Sequence, residues 1–262
     1  HYAGRRAMDI DGLGKEIMEA AAQNLTPVSL ELGGKAPAIV AADADVDAAV
    51  EDILTARITN AGQVCTCAER VFVHEDVADE FTEKYVAATE ALELGAPEDD
   101  PDMGPQVSEG EREWTHSSVE AAVDAGATLL AGGEAPTDEN LEAGYYYAPT
   151  VLGDVDPSMD VVEQEVFGPV TPIVTVESVD QAVEYANRSR YGLSSYVFTE
   201  DYKTAMQTVD DLDYGETYVN RTLGEAWQGH HIGWNDSGMG GDDGKYGVLK
   251  YTQIKSVYHD YS

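Results

Sequence analysis

The chain has 262 residues, 43% hydrophobic and 25% charged, which places it among globular proteins long enough to bury a large core as one domain or two. Fifty acidic residues against fifteen basic ones give a formal charge of −35, so no basic stripe exists to meet phosphates and nucleic acid is excluded as a partner. No apolar run approaches the ~18 residues of a membrane span and no signal peptide is visible, so the sequence predicts a soluble, cytoplasmic protein with no membrane partner.

The chain opens at His1, in the middle of a pattern. Residues 14–23 are strong helix formers with Ile17 and Ala21 on an apolar face, and Pro27 ends that helix. Strands are predicted over 28–32 and 36–40, separated by Gly33-Gly34. A helix over 45–61 follows from Val46, Ala49, Val50, Ile53, Leu54 and Ile58 at helical spacing. After the loop carrying Cys65 come a strand over 70–74 and a helix over 76–92, with Val77, Phe81, Tyr85 and Ala88 inward. Further on, 111–126 reads as helix, 128–131 and 145–152 as strands, 170–176 as an apolar strand and 179–189 as helix. A strand over 194–199, a helix over 202–211 and a strand over 216–220 complete the alternation. The stretch 222–247 is Gly-rich and weakly patterned, as functional or disordered loops are. Residues 251–258 alternate like an exposed strand that needs a partner, predicting subunit contact. Helices alternating with short apolar strands predict an α/β domain with a mainly parallel, buried sheet.

The acid is dispersed, recurring at 43–47, 51–52, 98–102, 210–213 and 242–243 beside only seven lysines. Such a surface is expected of a protein working in high salt, where screening removes most of the self-repulsion. Cys65 and Cys67 are too few for a zinc site and poorly spaced for a structural disulfide, and no metal site is predicted.

Residues 60–70 read Asn-Ala-Gly-Gln-Val-Cys-Thr-Cys-Ala-Glu-Arg. Small and polar neighbours around Cys65 favour the thiolate, the form that attacks carbonyls, although a small buried hydrophobe is the bland alternative. Cys67 reads as a packing neighbour, with redox protection of Cys65 as the lesser reading. Taken singly, Glu31 is a strand-end carboxylate, Glu165 a loop carboxylate, Phe167 a core aromatic and His231 a loop histidine beside His230.

Taken together they say more. Leu30-Glu-Leu-Gly-Gly-Lys35, Asn60-Ala-Gly-Gln-Val-Cys65 and Glu165-Val-Phe-Gly-Pro169 resemble, in order and spacing, the motifs of the aldehyde dehydrogenase superfamily. The interval between Glu31 and Cys65 (65 − 31 = 34) also matches, and the likeness covers essentially the whole chain. The resemblance implies an aldehyde dehydrogenase-like catalytic domain over 34–236, a remnant of a Rossmann-like cofactor domain over 1–33, and a return segment with a C-terminal oligomerisation strand over 237–262. It implies NAD or NADP as cofactor, a small aldehyde as substrate and a homo-oligomer. Cys65 would add to the aldehyde to give a thiohemiacetal, the nicotinamide would take the hydride, and Glu31 would activate the water that hydrolyses the thioester. Glu165 would bind the nicotinamide-side ribose and Phe167 would lie against the nicotinamide, while the Cys65 N–H would serve an oxyanion.

The stretches Cys65–Arg70, Gly215–Arg221, Gln228–Trp234 and Ser237–Gly247 resemble the lactaldehyde/glycolaldehyde branch. That likeness implies that His231 faces the substrate and hydrogen-bonds its 2-hydroxyl. Two departures stand against it. Family members are nearly twice this length, and the missing N-terminal part carries most of the nucleotide sheet and the oxyanion-hole asparagine. Asp9-Ile10-Asp11-Gly12 stands where the family usually has a Gly-Ser turn, and aspartates there repel pyrophosphate. The expectation is the C-terminal catalytic portion of an NAD(P)-dependent dehydrogenase of small hydroxyaldehydes. The alternatives are a truncated, non-catalytic scaffold subunit and a cofactor-independent thiol esterase.

Overall fold

The structure, a computed structural model, describes residues 13–138, 141 and 144–262, so the Asp9–Gly12 departure lies outside the described residues. Helix α1 (Lys15–Ala22) forms as expected, but none of its residues is buried. The short strand β1 (Leu30–Glu31) follows it, and then the sheet begins.

Seven strands form that sheet in the spatial order β4 (Thr128–Ala131), β5 (Thr150–Gly153), β6 (Val170–Val176), β3 (Ala68–His74), β2 (Ala36–Val40), β8 (Ser194–Phe198) and β9 (Glu216–Val219). Each neighbouring pair is parallel except β4 with β5. Strands β2 and β8 are buried along their whole length, as a parallel sheet covered on both faces requires. On one face α2 (Val46–Ile58) and α3 (Glu75–Glu90) pack Ala49, Ile53, Phe81 and Tyr85 against Val71, Val73 and Tyr196. On the other, α4 (Glu109–Asp124), α5 (Asp160–Glu163) and α6 (Val179–Asn187) pack Val119, Val162 and Ala186 against Ile39, Phe72, Val174 and Val197. Helix α7 (Tyr202–Asp211) joins β8 to β9 and is capped by Asp201, whose carboxylate accepts the Thr204 N–H.

Some expected boundaries move, each for a local reason. Helix α2 stops at Ile58 rather than running to Ala61, because Asn60 and Ala61 adopt left-handed backbone (φ +51° and +56°) ahead of Gly62. Strand β5 starts at Thr150 rather than Tyr145, since Pro149 has no N–H for a ladder. In α3 the buried residues are Ala78, Phe81, Tyr85 and Thr89; Val77 and Ala88 are only partly covered.

The weakly patterned stretch after β9 is ordered. It contains β10 (Trp234–Asn235), which pairs with β7 (Tyr191–Gly192), then β11 (Gly238–Met239) and helix α8 (Gly244–Leu249). Strand β11 pairs antiparallel with β1 and sets Glu31 opposite Gly238. The strand expected over 251–258 is corrected: it has no ladder with any described segment, and Ile254, Val257 and Tyr258 are exposed. A strand exists through its ladder, and alternation alone cannot make one. No helix of the described residues is long and apolar enough to cross a membrane.

Topology gathers the motifs. Residues 31–35 precede β2, Cys65 precedes β3, residues 165–168 precede β6, and Glu216 begins β9. All lie at the N-terminal edge of the parallel strands.

Candidate active site

Cys65 is partly exposed, on the loop between the left-handed turn and β3. Gly62 in that turn has φ +76°, and a Cβ there would lie 2.5 Å from the carbonyl oxygen of Gly168. No other residue type fits. Buried Arg57 holds the turn from α2, donating to the Gly62 carbonyl at 2.7 Å and the Ala68 carbonyl at 3.0 Å. Beyond the cysteine, the Tyr196 hydroxyl donates to the Thr66 carbonyl at 2.5 Å. The sulfur is therefore presented from a backbone held on both sides. Cys67 is fully buried, and burial pushes its thiol up to about 11, which leaves it inert at neutral pH.

The Glu31 strand end seats on the cysteine loop. A Cβ at Gly34 would lie 2.4 Å from the Cys65 carbonyl oxygen, so only glycine allows this approach. The Gly34 N–H donates to Glu165 Oε1 at 2.8 Å, which brings the loop before β6 to the same point.

One buried carboxylate ties these segments together. Glu69 accepts the Lys35 ammonium at 2.6 Å, lies 3.3 Å from Arg57, and accepts the N–H groups of Val166 at 3.0 Å and Phe167 at 2.8 Å. Burial alone would raise its pKa; Lys35, Arg57 and the Val166 amide outweigh burial and hold it at about 2. Burial draws Lys35 down to about 8 against the pull of Glu69. Arg70, next in the chain, donates to the Lys35 carbonyl at 3.0 Å and to the Ala186 carbonyl at the end of α6 at 2.8 Å.

His231 stands beside Glu31. Its Nε2 lies 3.3 Å from Glu31 Oε2 and its Nδ1 lies 2.9 Å from Glu216 Oε1, with the Cys65 side chain near enough to bias the ring towards its protonated form. Cys65 and Glu216 outweigh burial and push His231 up to about 11, which favours the imidazolium form. Burial raises the Glu31 carboxyl above its usual range, with His231 opposing. The Tyr218 hydroxyl lies 3.0 Å from both Glu216 Oε2 and Glu225 Oε1 and donates its one proton to one or the other. Paired backbone bonds with Asp242, of 3.0 and 2.7 Å, fix the His231 segment.

The structure thus brings together Cys65, Glu31 and His231, and sets Glu165 against the Glu31 strand end. Phe167 takes a left-handed backbone (φ +54°) and, with Asn60, Gln63, Pro105 and Val107, lines a separate cavity of ≈ 740 Å³. Sequence reasoning gave no role to Glu69, Arg57, Glu216, Tyr218 or Glu225. A carboxylate inside the apolar run 68–73 was the available signal for Glu69.

The sequence profile of the aldehyde dehydrogenase family matches residues 11–257. The chain is 48% identical over 248 residues to a 3,6-anhydro-alpha-L-galactose dehydrogenase of Streptomyces coelicolor, covering 94% of this chain and 50% of that protein. It is 44% identical to lactaldehyde dehydrogenase of Escherichia coli, over 94% of this chain and 51% of that one, and the crystal structure of an Escherichia coli lactaldehyde dehydrogenase superposes with a TM-score of 0.90. A D-glyceraldehyde dehydrogenase (NADP(+)) of Picrophilus torridus is 40% identical over 95% of this chain and 50% of its own length. The chain spans about half the length of the curated relatives it matches.

Proposed function

Because the chain belongs to the aldehyde dehydrogenase family, we propose that it is the catalytic portion of an enzyme that oxidises a small hydroxyaldehyde to its acid with NAD or NADP. The observation that carries this reading is the seating of the Glu31–Gly34 strand end on the Cys65 peptide, with His231 Nε2 3.3 Å from Glu31 Oε2. The named relatives support the substrate class, since lactaldehyde and glyceraldehyde both carry a hydroxyl beside the aldehyde.

Cys65 Sγ adds to the aldehyde carbon, with the Cys65 N–H as one donor to the developing oxyanion. His231 hydrogen-bonds the 2-hydroxyl of the substrate. Loss of hydride leaves an acyl thioester on Cys65. Glu31 then takes a proton from water, the water oxygen adds to the acyl carbon, and the thiolate of Cys65 leaves as the acid is released.

The residues present fit the nicotinamide end of a dinucleotide. Glu165 is a buried carboxylate anchored by the Gly34 N–H, suited to ribose hydroxyls, and Phe167 offers a partly exposed ring beside an open cavity. When bound, the nicotinamide supplies the hydride acceptor that no side chain provides. Residues 1–33 belong with a cofactor-binding part, 34–236 form the catalytic domain, and 237–262 return to pair with β1 and leave Ile254, Val257 and Tyr258 exposed for contact with a second copy. The charge of −35 adapts the chain to concentrated salt.

The test is cofactor reduction with lactaldehyde and glycolaldehyde by the full-length protein in concentrated KCl. Cys65→Ala should abolish it. Glu31→Gln should keep one burst of reduced cofactor and leave an acyl adduct on Cys65, visible by mass spectrometry. No reduction with any short aldehyde by the unaltered protein overturns the reading.

A further inference from the structure

Three carboxylates surround one imidazole at the N-terminal edge of the sheet. Glu216 Oε1 lies 2.9 Å from His231 Nδ1, and one oxygen each of Glu216 and Glu225 lies with a ring nitrogen of His231 inside a group whose atoms are all within 4.8 Å of one another. Glu31 stands on the Nε2 side at 3.3 Å. We propose that Glu216, Glu225 and His231 form a binding site for a divalent cation of the zinc class.

The donor set suits such an ion. Imidazole nitrogen and carboxylate oxygen are both ordinary zinc ligands, and zinc sites with three protein ligands keep a fourth position for water. The ion would take the place of the proton that now lies between His231 Nδ1 and Glu216 Oε1, 2.9 Å apart. That proton leaves to solvent, the Nδ1 lone pair and one oxygen from each carboxylate bind the metal, and water fills the fourth position. No redox change is involved.

The surroundings are those of a ligand shell already built. A metal-bound histidine typically donates its other N–H to a carboxylate, and Nε2 already faces Glu31. Ligating carboxylates are typically hydrogen-bonded in turn, and the Tyr218 hydroxyl reaches both Glu216 and Glu225 at 3.0 Å. The His231 backbone is pinned by Asp242, and Glu216 starts strand β9, so two of the three ligands sit on fixed backbone. Glu225 is exposed and gives the ion access. The spacing 216, 225, 231 carries no metal signature in the sequence, because the site depends on the loop after β9 folding back.

If the dehydrogenase reading holds, a bound ion also occupies the place assigned to the substrate hydroxyl and should compete with the hydroxyaldehyde. The binding claim itself does not need that reading. The test is calorimetric titration with Zn2+ of the full-length Cys65→Ser protein, which lacks the one accessible thiol, with Co2+ absorbance as a second readout in concentrated KCl. One equivalent should bind in the micromolar range. His231→Ala, Glu216→Gln and Glu225→Gln should each weaken binding about tenfold or more. Glu225 is exposed, so its variant keeps the test sound if either of the others fails to fold. No saturable binding below millimolar Zn2+, or equal binding by the Glu225→Gln and His231→Ala proteins, overturns the proposal and assigns any uptake to the general acidic surface. Absence of cofactor reduction by the unaltered protein, with Zn2+ binding by the Cys65→Ser protein intact, would sink the dehydrogenase reading alone.

Discussion

Glu69 and Phe167 stand 98 positions apart in the chain, yet the Phe167 N–H donates to Glu69 Oε1 at 2.8 Å. The same carboxylate holds Lys35, so one buried charge registers the Glu31, Cys65 and Glu165 segments against one another. Glu69→Gln removes that charge and leaves two buried cations without their counter-ion. Breaking a buried pair in this way costs about 3–5 kcal/mol. Urea denaturation near pH 7 should show a loss of that size, with unchanged steepness of the transition.

The same group sets an acid dependence. Its folded pKa of about 2 lies below the ordinary 4.5, so its contribution is fully present above pH 4.5 and disappears as pH falls towards 2. That interval corresponds to about 3 kcal/mol. The stability difference between the unaltered protein and Glu69→Gln should shrink steadily over this window. A difference that stays constant from pH 6 to pH 2.5 would contradict it.

Gly34→Ala places a methyl 2.4 Å from the Cys65 carbonyl oxygen, and this neighbour is backbone that cannot swing aside. The strand end or the cysteine loop must shift, at a cost of about 1–3 kcal/mol. Turnover should fall far more than stability does, because a displacement of about 1 Å near the reacting atoms can cost about a hundredfold. Parallel measurements of kcat and of the melting temperature check this.

The two thiols should separate cleanly. Cys65 is partly exposed, whereas Cys67 is buried with its thiol pushed up to about 11. At pH 8 an aromatic disulfide reagent should titrate one thiol in the folded protein and two after denaturation. Cys65→Ser should leave none reactive in the folded state.

A formal charge of −35 repels itself in dilute buffer. The Debye length falls from about 10 Å at 0.1 M salt to about 3 Å at 1 M. The melting temperature should therefore rise with KCl over this range, and sucrose at matched osmolality should not reproduce the gain.

The central strands were legible because a buried parallel strand is a continuous apolar run, and 36–40 and 170–176 are such runs. Motif resemblance singled out Cys65 and Glu31 together, and the structure seats the Glu31 strand end on the Cys65 loop. Glu69 was not legible, since its burial depends on Lys35 and Arg57 arriving from other elements, and one carboxylate at a strand start looks like surface. The Asn60–Ala61 turn was hidden because both residues continue the helical pattern and only the approach of Gly168 to Gly62 forces them out of it. The terminal strand failed for the opposite reason: alternation was present and a ladder partner was not.

Placing the motifs at the N-terminal edge of the parallel strands has an electrostatic consequence. Helices α2, α6 and α7 each lead into a strand there, so they deliver their carboxyl ends to that edge, where the peptide dipoles carry partial negative charge. Phosphate-binding sites in α/β folds commonly use the opposite, amino ends of helices. The backbone field at this edge thus works against anions, thiolate and oxyanion included. In the proposed reaction, negative charge on Cys65 or on an oxyanion would have to be met by individual N–H groups and by the His231 ring.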